Sequence, residues 1–138
     1  MLGFSKNLSL MPLYWIWSGM TASVILFYLG FFVQKHSLKL HITCNTLGIL
    51  FNLATAIYLL FLKYFGGGME TNLIFRNATD LYIHIHRFFA ALGLFWMLFQ
   101  AYIGITRKLS LHRRSGKFFL LYYSIIYISG LYLFKVEP

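Results

Sequence analysis

The chain has 138 residues, of which 59% are hydrophobic and only 11% charged, where a soluble domain carries about 25% charged residues. The length points to one domain, and the apolar residues lie in long blocks rather than in the interrupted pattern of a globular core. Net charge is +9 with histidine neutral, but the cations sit between the apolar blocks and the aromatic residues inside them, so nucleic acid is not an expected partner. The expected class is an all-α, integral membrane four-helix bundle, a single transmembrane domain over residues 1–138 with membrane lipid as its surroundings.

About 20 apolar residues cross the hydrocarbon core, which predicts four spans, near Pro12–Val33, Leu40–Leu62, Leu81–Thr106 and Phe118–Phe134. Pro12 suits a first helical turn, where its missing N–H costs little. Tyr14, Trp15 and Trp17 read as an interfacial aromatic belt. The first span is longer than a signal-peptide core and has no small-residue cleavage site after it, so it is expected to remain. Gly66, Gly67 and Gly68 break the second helix. The connections are Gln34–Lys39, Lys63–Asp80 and Arg107–Lys117. Cys44 is single and lies within a span, so it forms no internal disulfide. Asn77-Ala78-Thr79 has the form of a glycosylation sequon, a motif short enough to arise by chance.

Orientation follows from the cations. Lys35 and Lys39 flank the first connection, and Arg107, Lys108, Arg113, Arg114 and Lys117 crowd the third. Both connections lie on one side of a four-span chain, so the positive-inside rule places them in the cytoplasm or its equivalent and both termini outside. A sharper reading has Lys39, Arg113, Arg114 and Lys117 also neutralise the propionates of a haem.

That reading comes from the histidines. His41, His86 and His112 each open a membrane-length apolar run, and an ionisable residue in a span usually faces the bundle interior with a partner. Each heads a stripe at steps of three and four. From His41 the stripe runs through Asn45, Gly48, Asn52 and Ala56. From His86 it runs through Ala90, Gly93, Met97, Gln100 and Gly104, and from His112 through Gly116, Phe119, Tyr123, Tyr127 and Gly130. Small residues beside a histidine leave room for a flat macrocycle, although they also serve close helix packing. In this topology His41 and His112 share a depth near the inner face, and His86 lies near the outer one. His84 is just before it, and His36 lies in the first loop. Two imidazoles on opposite faces of haem iron give a closed site suited to passing one electron. Zinc needs three or four close ligands; the inner face offers His36, His41 and His112 but no carboxylate, and Cys44 is turned to another side. No Cys-x-x-Cys-His is present, so the haem is expected to be b-type.

These residues resemble the core of the cytochrome b561 family of transmembrane haem proteins. The resemblance lies in Ser37-Leu38-Lys39-Leu40-His41, in His86 followed by Leu92-Gly93-Leu94, Phe99-Gln100 and Gly104, and in Leu111-His112-Arg113-Arg114-Ser115-Gly116-Lys117 with Gly130-Leu131. It covers the second to fourth helices. It implies two b haems in a four-helix core, the inner one held by His41 and His112, the outer one by His86 and a ligand from the first helix. The first span has no histidine. Met11, Met20 or His84 would have to stand in for that ligand, and loss of the outer haem is the favoured reading. The expected cofactor is therefore one haem b, with a second lacking a partner for His86.

The expected function is a b-type cytochrome that transfers electrons within or across the membrane, a subunit of a larger redox complex rather than a stand-alone enzyme. The resemblance implies ascorbate or quinol as reductant. The alternative is a haem-free structural or assembly subunit of a respiratory or photosynthetic complex, its histidines binding a pigment, lipid or neighbouring chain. A transporter fits less well, because no Asp or Glu lies within a span and no helix is broken at mid-membrane.

Overall fold

The computed structural model describes residues 11–136, which form two compact units, one of residues up to 77 together with 131 onward, the other of residues 78–130. Each is built around one pair of helices.

The first unit holds α1 (Met11–Val33) and α2 (Leu38–Tyr64). They are joined by a tight turn in which the N–H groups of His36 and Ser37 both reach the Val33 carbonyl at 2.9 Å. Ser37 then caps α2, its side-chain oxygen accepting from the Leu40 N–H at 3.2 Å, which satisfies one of the donors a helix start leaves open. At about 1.5 Å per residue, both helices exceed the thickness of a hydrocarbon core.

Tight packing along this pair comes from small and polar residues. Ser23 donates to the Gly48 carbonyl at 2.8 Å and is fully buried. Phe27 fills the space above Gly48, and Asn45 fills that above Gly30. The buried stripe of α2 is Cys44, Gly48, Asn52, Thr55 and Leu62. Cys44 thus lies in the helix interface, which corrects the expectation that it turns elsewhere.

At the other end of the pair, Leu13, Ile16, Leu62 and Ile74 form a small apolar core. Trp17 packs on it while Tyr14 and Trp15 stay exposed, so only part of the expected aromatic belt faces outward. The connection after α2 is structured. Gly67 and Gly68 take positive φ of 88° and 94°, a conformation glycine reaches without steric cost. Asn72 donates to the carbonyls of Gly66 and Gly68 at 2.9 and 2.7 Å. A two-residue ladder, β1 (Phe75–Arg76) antiparallel to β2 (Phe134–Lys135), ties the chain after the last helix into this unit. The side chains of the apparent sequon are occupied: Asn77 donates to the Tyr132 carbonyl at 3.1 Å, and Thr79 caps the next helix by accepting from the Tyr82 N–H at 3.3 Å.

The second unit holds α3 (Asp80–Ile105) and α4 (Leu109–Leu131). Their connection is three residues, 106–108, far shorter than the expected Arg107–Lys117. Helix α4 starts at Leu109 rather than near Phe118, because one glycine, Gly116, is not enough to stop a helix from Leu109 to Lys117. The segment has no proline, and its Arg, Lys and Leu residues are good helix formers. Arg113, Arg114 and Lys117 are therefore helical, and Phe134 is in a strand.

Among the described residues, three helices, Pro12–Val33, Leu38–Tyr64 and Asp80–Ile105, are long and apolar enough to cross a membrane, as a multi-pass integral membrane protein requires. Helix α4 is long enough, but its early cations lower its hydropathy. The outward faces carry large apolar side chains such as Phe32, Ile57, Phe95, Ile105 and Ile128, all more than half exposed. Water would penalise this surface and lipid would not.

Candidate functional site

Three histidines share one local arrangement. His41, on α2, places Nδ1 at 2.7 Å from the Gly30 carbonyl of α1. His112, on α4, places Nδ1 at 3.1 Å from the Gln100 carbonyl of α3. A carbonyl only accepts, so in both rings Nδ1 carries the proton and, in the neutral imidazole, the lone pair is on Nε2. His86, on α3, places Nδ1 at 2.8 Å from the Ser129 hydroxyl of α4. That hydroxyl spends its own proton on the Ile126 carbonyl at 2.9 Å, so it accepts from His86 and fixes the same tautomer. Haem and metal centres favour this form, with one ring nitrogen tied to an acceptor and the other left basic. Among the described residues neither the His36 nor the His84 ring makes a hydrogen bond, and both are exposed.

The His112 and His86 rings rest on glycines of the neighbouring helix in their own unit. A Cβ at Gly104 would stand 3.0 Å from His112 Cε1, and one at Gly130 would stand 3.3 Å from His86 Cε1. The missing side chain at Gly104 also uncovers the Gln100 carbonyl one turn earlier, which lets it accept from His112 besides its helical donor. Beside His41, the Asn45 amide nitrogen is 3.2 Å from both ring nitrogens. In the ring plane that position would overlap Cε1, so the amide lies over the ring face and steadies it through its π cloud.

The stripes expected from sequence are the inward faces of the helices. Every position from His86 to Gly104 and from His112 to Gly130 in those stripes is buried or half-buried. The space left by their glycines is filled, however. Tyr122 lies against Gly93, Gln100 against Gly116, Phe27 against Gly48, and histidine rings against Gly104 and Gly130. Within each unit the small residues seat neighbouring side chains rather than leave a slot.

Around His112 the polar groups are reciprocal. Gln100 donates to the His112 carbonyl at 3.0 Å while its own carbonyl accepts from the ring. Gln100 Oε1 is buried with no donor among the described residues, and a buried acceptor without a partner costs about 1–3 kcal/mol. Above this level Trp96 donates to the Ser115 hydroxyl at 2.9 Å and stacks obliquely on Tyr122, with ring centroids 5.4 Å apart. Tyr122 donates to the Phe89 carbonyl at 2.6 Å.

The expected anion-neutralising cations lie elsewhere on the helix. At about 100° per residue, Arg114 and Lys117 fall within about 40° of the line directly opposite His112, and Arg113 lies to the side. All three are exposed, as is Lys39. The structure gives no support to their facing the ring that His112 presents. Of the candidate partners for His86, the Met11 side chain lies outside the described residues. The Met20 sulfur is 3.8 Å from the Asn52 amide, which donates to it, and His84 points outward. Among the described residues no three His, Cys, Asp or Glu side chains gather as a metal cluster would need.

Three partners of the histidines were not legible as such: the Gly30 carbonyl, the Gln100 carbonyl and Ser129. No protein-family model, curated protein or solved structure matches the chain.

Proposed function

We propose that the protein is a small b-type cytochrome of the membrane, acting as an electron-transfer subunit of a larger redox complex. The observation that carries this reading is the shared tautomer. Of five histidines, the three that head inward-facing stripes have Nδ1 held by an acceptor, and the two that do not are exposed and, among the described residues, unheld. A histidine serving only in packing gains the Nδ1–H hydrogen bond but makes no use of the Nε2 lone pair. One serving as an axial ligand needs it. Each ring thus offers the donor that an axial ligand of haem iron needs. His41 and His112 would hold the group expected from the sequence topology, with His86 the candidate for a second. Bound there, the haem would supply reversible one-electron transfer.

The chain's own contribution is to orient the imidazoles and exclude water. The Gly30 and Gln100 carbonyls aim two rings, Asn45 restrains one of them, and Trp96, Phe119 and Tyr122 keep the α3–α4 interior apolar. The membership in the cytochrome b561 family, the ascorbate or quinol donor and the outward termini belong to this proposal as well. A second reading is favoured by the filled glycine notches: a haem-free structural or assembly subunit whose small residues are packing seams.

Haem content separates the two. The purified protein should give a pyridine haemochrome spectrum and a sharp α band on reduction. His41→Ala and His112→Ala should each lower haem per chain at least tenfold, whereas His36→Ala should retain it. Protein purified from haem-replete cells with no haem per chain sinks the cytochrome reading.

A further inference from the structure

We propose that the first turns of α4 hold the headgroup of an acidic phospholipid, a site separate from the histidines and independent of the haem reading. Ser110, Arg113, Arg114, Lys117, Phe118 and Leu121 line an open groove of about 700 Å³. Its position opposite His112 turns it away from the α3–α4 interior. Three cations share it, and among the described residues none of them has an ion pair. The described acids, Glu70 and Asp80, are not part of its lining. The start of a 23-residue helix adds the positive end of its dipole and N–H groups without helical acceptors.

The order of residues along the groove names the occupant. Ser110 and the cations come first, and Phe118 and Leu121 follow on the same side, where the helix turns apolar. A free phosphate would use only the first part. A phospholipid uses both, its phosphodiester against the guanidinium groups, which bind phosphate bidentately, and its acyl chain along Phe118 and Leu121. Basic groups at a membrane surface recruit acidic lipids in this way, each cation adding an increment.

The test uses the full chain purified in a zwitterionic detergent, with bound lipid counted by native mass spectrometry during titration with phosphatidylglycerol or phosphatidylcholine. Phosphatidylglycerol should be retained in preference. The combined variant Arg113→Gln, Arg114→Gln, Lys117→Gln should bind it on the order of a hundredfold more weakly, with helix content by circular dichroism unchanged because all three side chains are exposed. Lys35→Gln with Lys63→Gln should leave retention as it was. Leu121→Asn should weaken retention of the lipid but not of inorganic phosphate. Equal binding of the two lipids, unchanged retention in the combined variant, or displacement of the lipid by inorganic phosphate at millimolar concentration would each overturn the proposal.

Discussion

The two helix pairs solve one problem by different means. In lipid, apolar side chains gain nothing by leaving the solvent, so helices associate through close packing and interhelical hydrogen bonds. The α1–α2 pair relies on closeness. Ser23 reaches the Gly48 backbone, Gly19 lies against Thr55, and Gly30 against Asn45. The α3–α4 pair relies on reach. Tyr82, His86, Gln100, His112 and Tyr122 each bridge to the partner helix, most of them to a backbone carbonyl. Trp96 and Phe119 fill the space between. A pair held by long polar side chains is better able to exchange one partner for another, and it is the pair that carries two of the three held histidines.

The largest effect should come from forcing the close pair apart. A Cβ at Gly19 would overlap the Thr55 hydroxyl, which is itself tied to the Phe51 carbonyl at 2.7 Å. Gly19→Leu adds more than a Cβ, and overpacking of this kind costs about 1–3 kcal/mol or more. It should lower the thermal unfolding midpoint in detergent by many degrees. Gly93→Ala in the other pair meets only the Tyr122 ring edge at 3.1 Å and should cost less than about 1 kcal/mol. Comparable losses in the two variants would show that both pairs are close-packed and end the distinction.

A smaller effect should follow at His86. Ser129→Ala removes the acceptor that holds Nδ1, so the ring loses a net hydrogen bond of about 0.5–1.5 kcal/mol and its fixed tautomer. Nuclear magnetic resonance of 15N-labelled histidine should show one ring changing from a single Nδ1–H form to a mixture. Ser129→Thr, which keeps the hydroxyl, should restore it. If the spectrum of Ser129→Ala matches that of the parent chain, the hydroxyl does not set the tautomer, and the kinship drawn between His86 and the other two histidines is lost.

How much of this was readable beforehand depends on what each feature needs. The all-α class and three of the spans follow from apolar runs long enough to be unmistakable. The inward stripes from His86 and His112 follow from helical period alone. What could not be read was which side chain meets which across a pair, because that depends on the register, and the register depends on where the turn lies. Treating Arg107–Lys117 as a loop left α4 too short. Once the turn is set at residues 106–108, His86 and Ser129 lie nearly equal numbers of residues from Arg107, and their pairing becomes a matter of counting. The β1–β2 ladder was hidden for another reason. Two residues per strand give no periodicity, and the partners lie more than fifty residues apart.

The turn that sets this register also offers the smallest effect, in the stabilising direction. Arg107 takes a φ of 58°, in the left-handed region that glycine tolerates and other residues occupy at a cost of roughly 1 kcal/mol. It stands where a helix ends with a left-handed residue. Its N–H reaches the Gly104 carbonyl at 3.2 Å, and the Lys108 N–H reaches the Ile103 carbonyl at 3.0 Å, the bonds that close the last turn of α3. Arg107→Gly relieves the strain but gives the unfolded chain more freedom, which takes back a few tenths to 1 kcal/mol. The net gain should be small, a rise of a degree or so in the unfolding midpoint, with the α3–α4 hydrogen bonds intact. A fall of several degrees would mean that the arginine side chain holds the turn by a contact of its own, and that the reach-based pair is anchored at its closed end by charge rather than by backbone geometry.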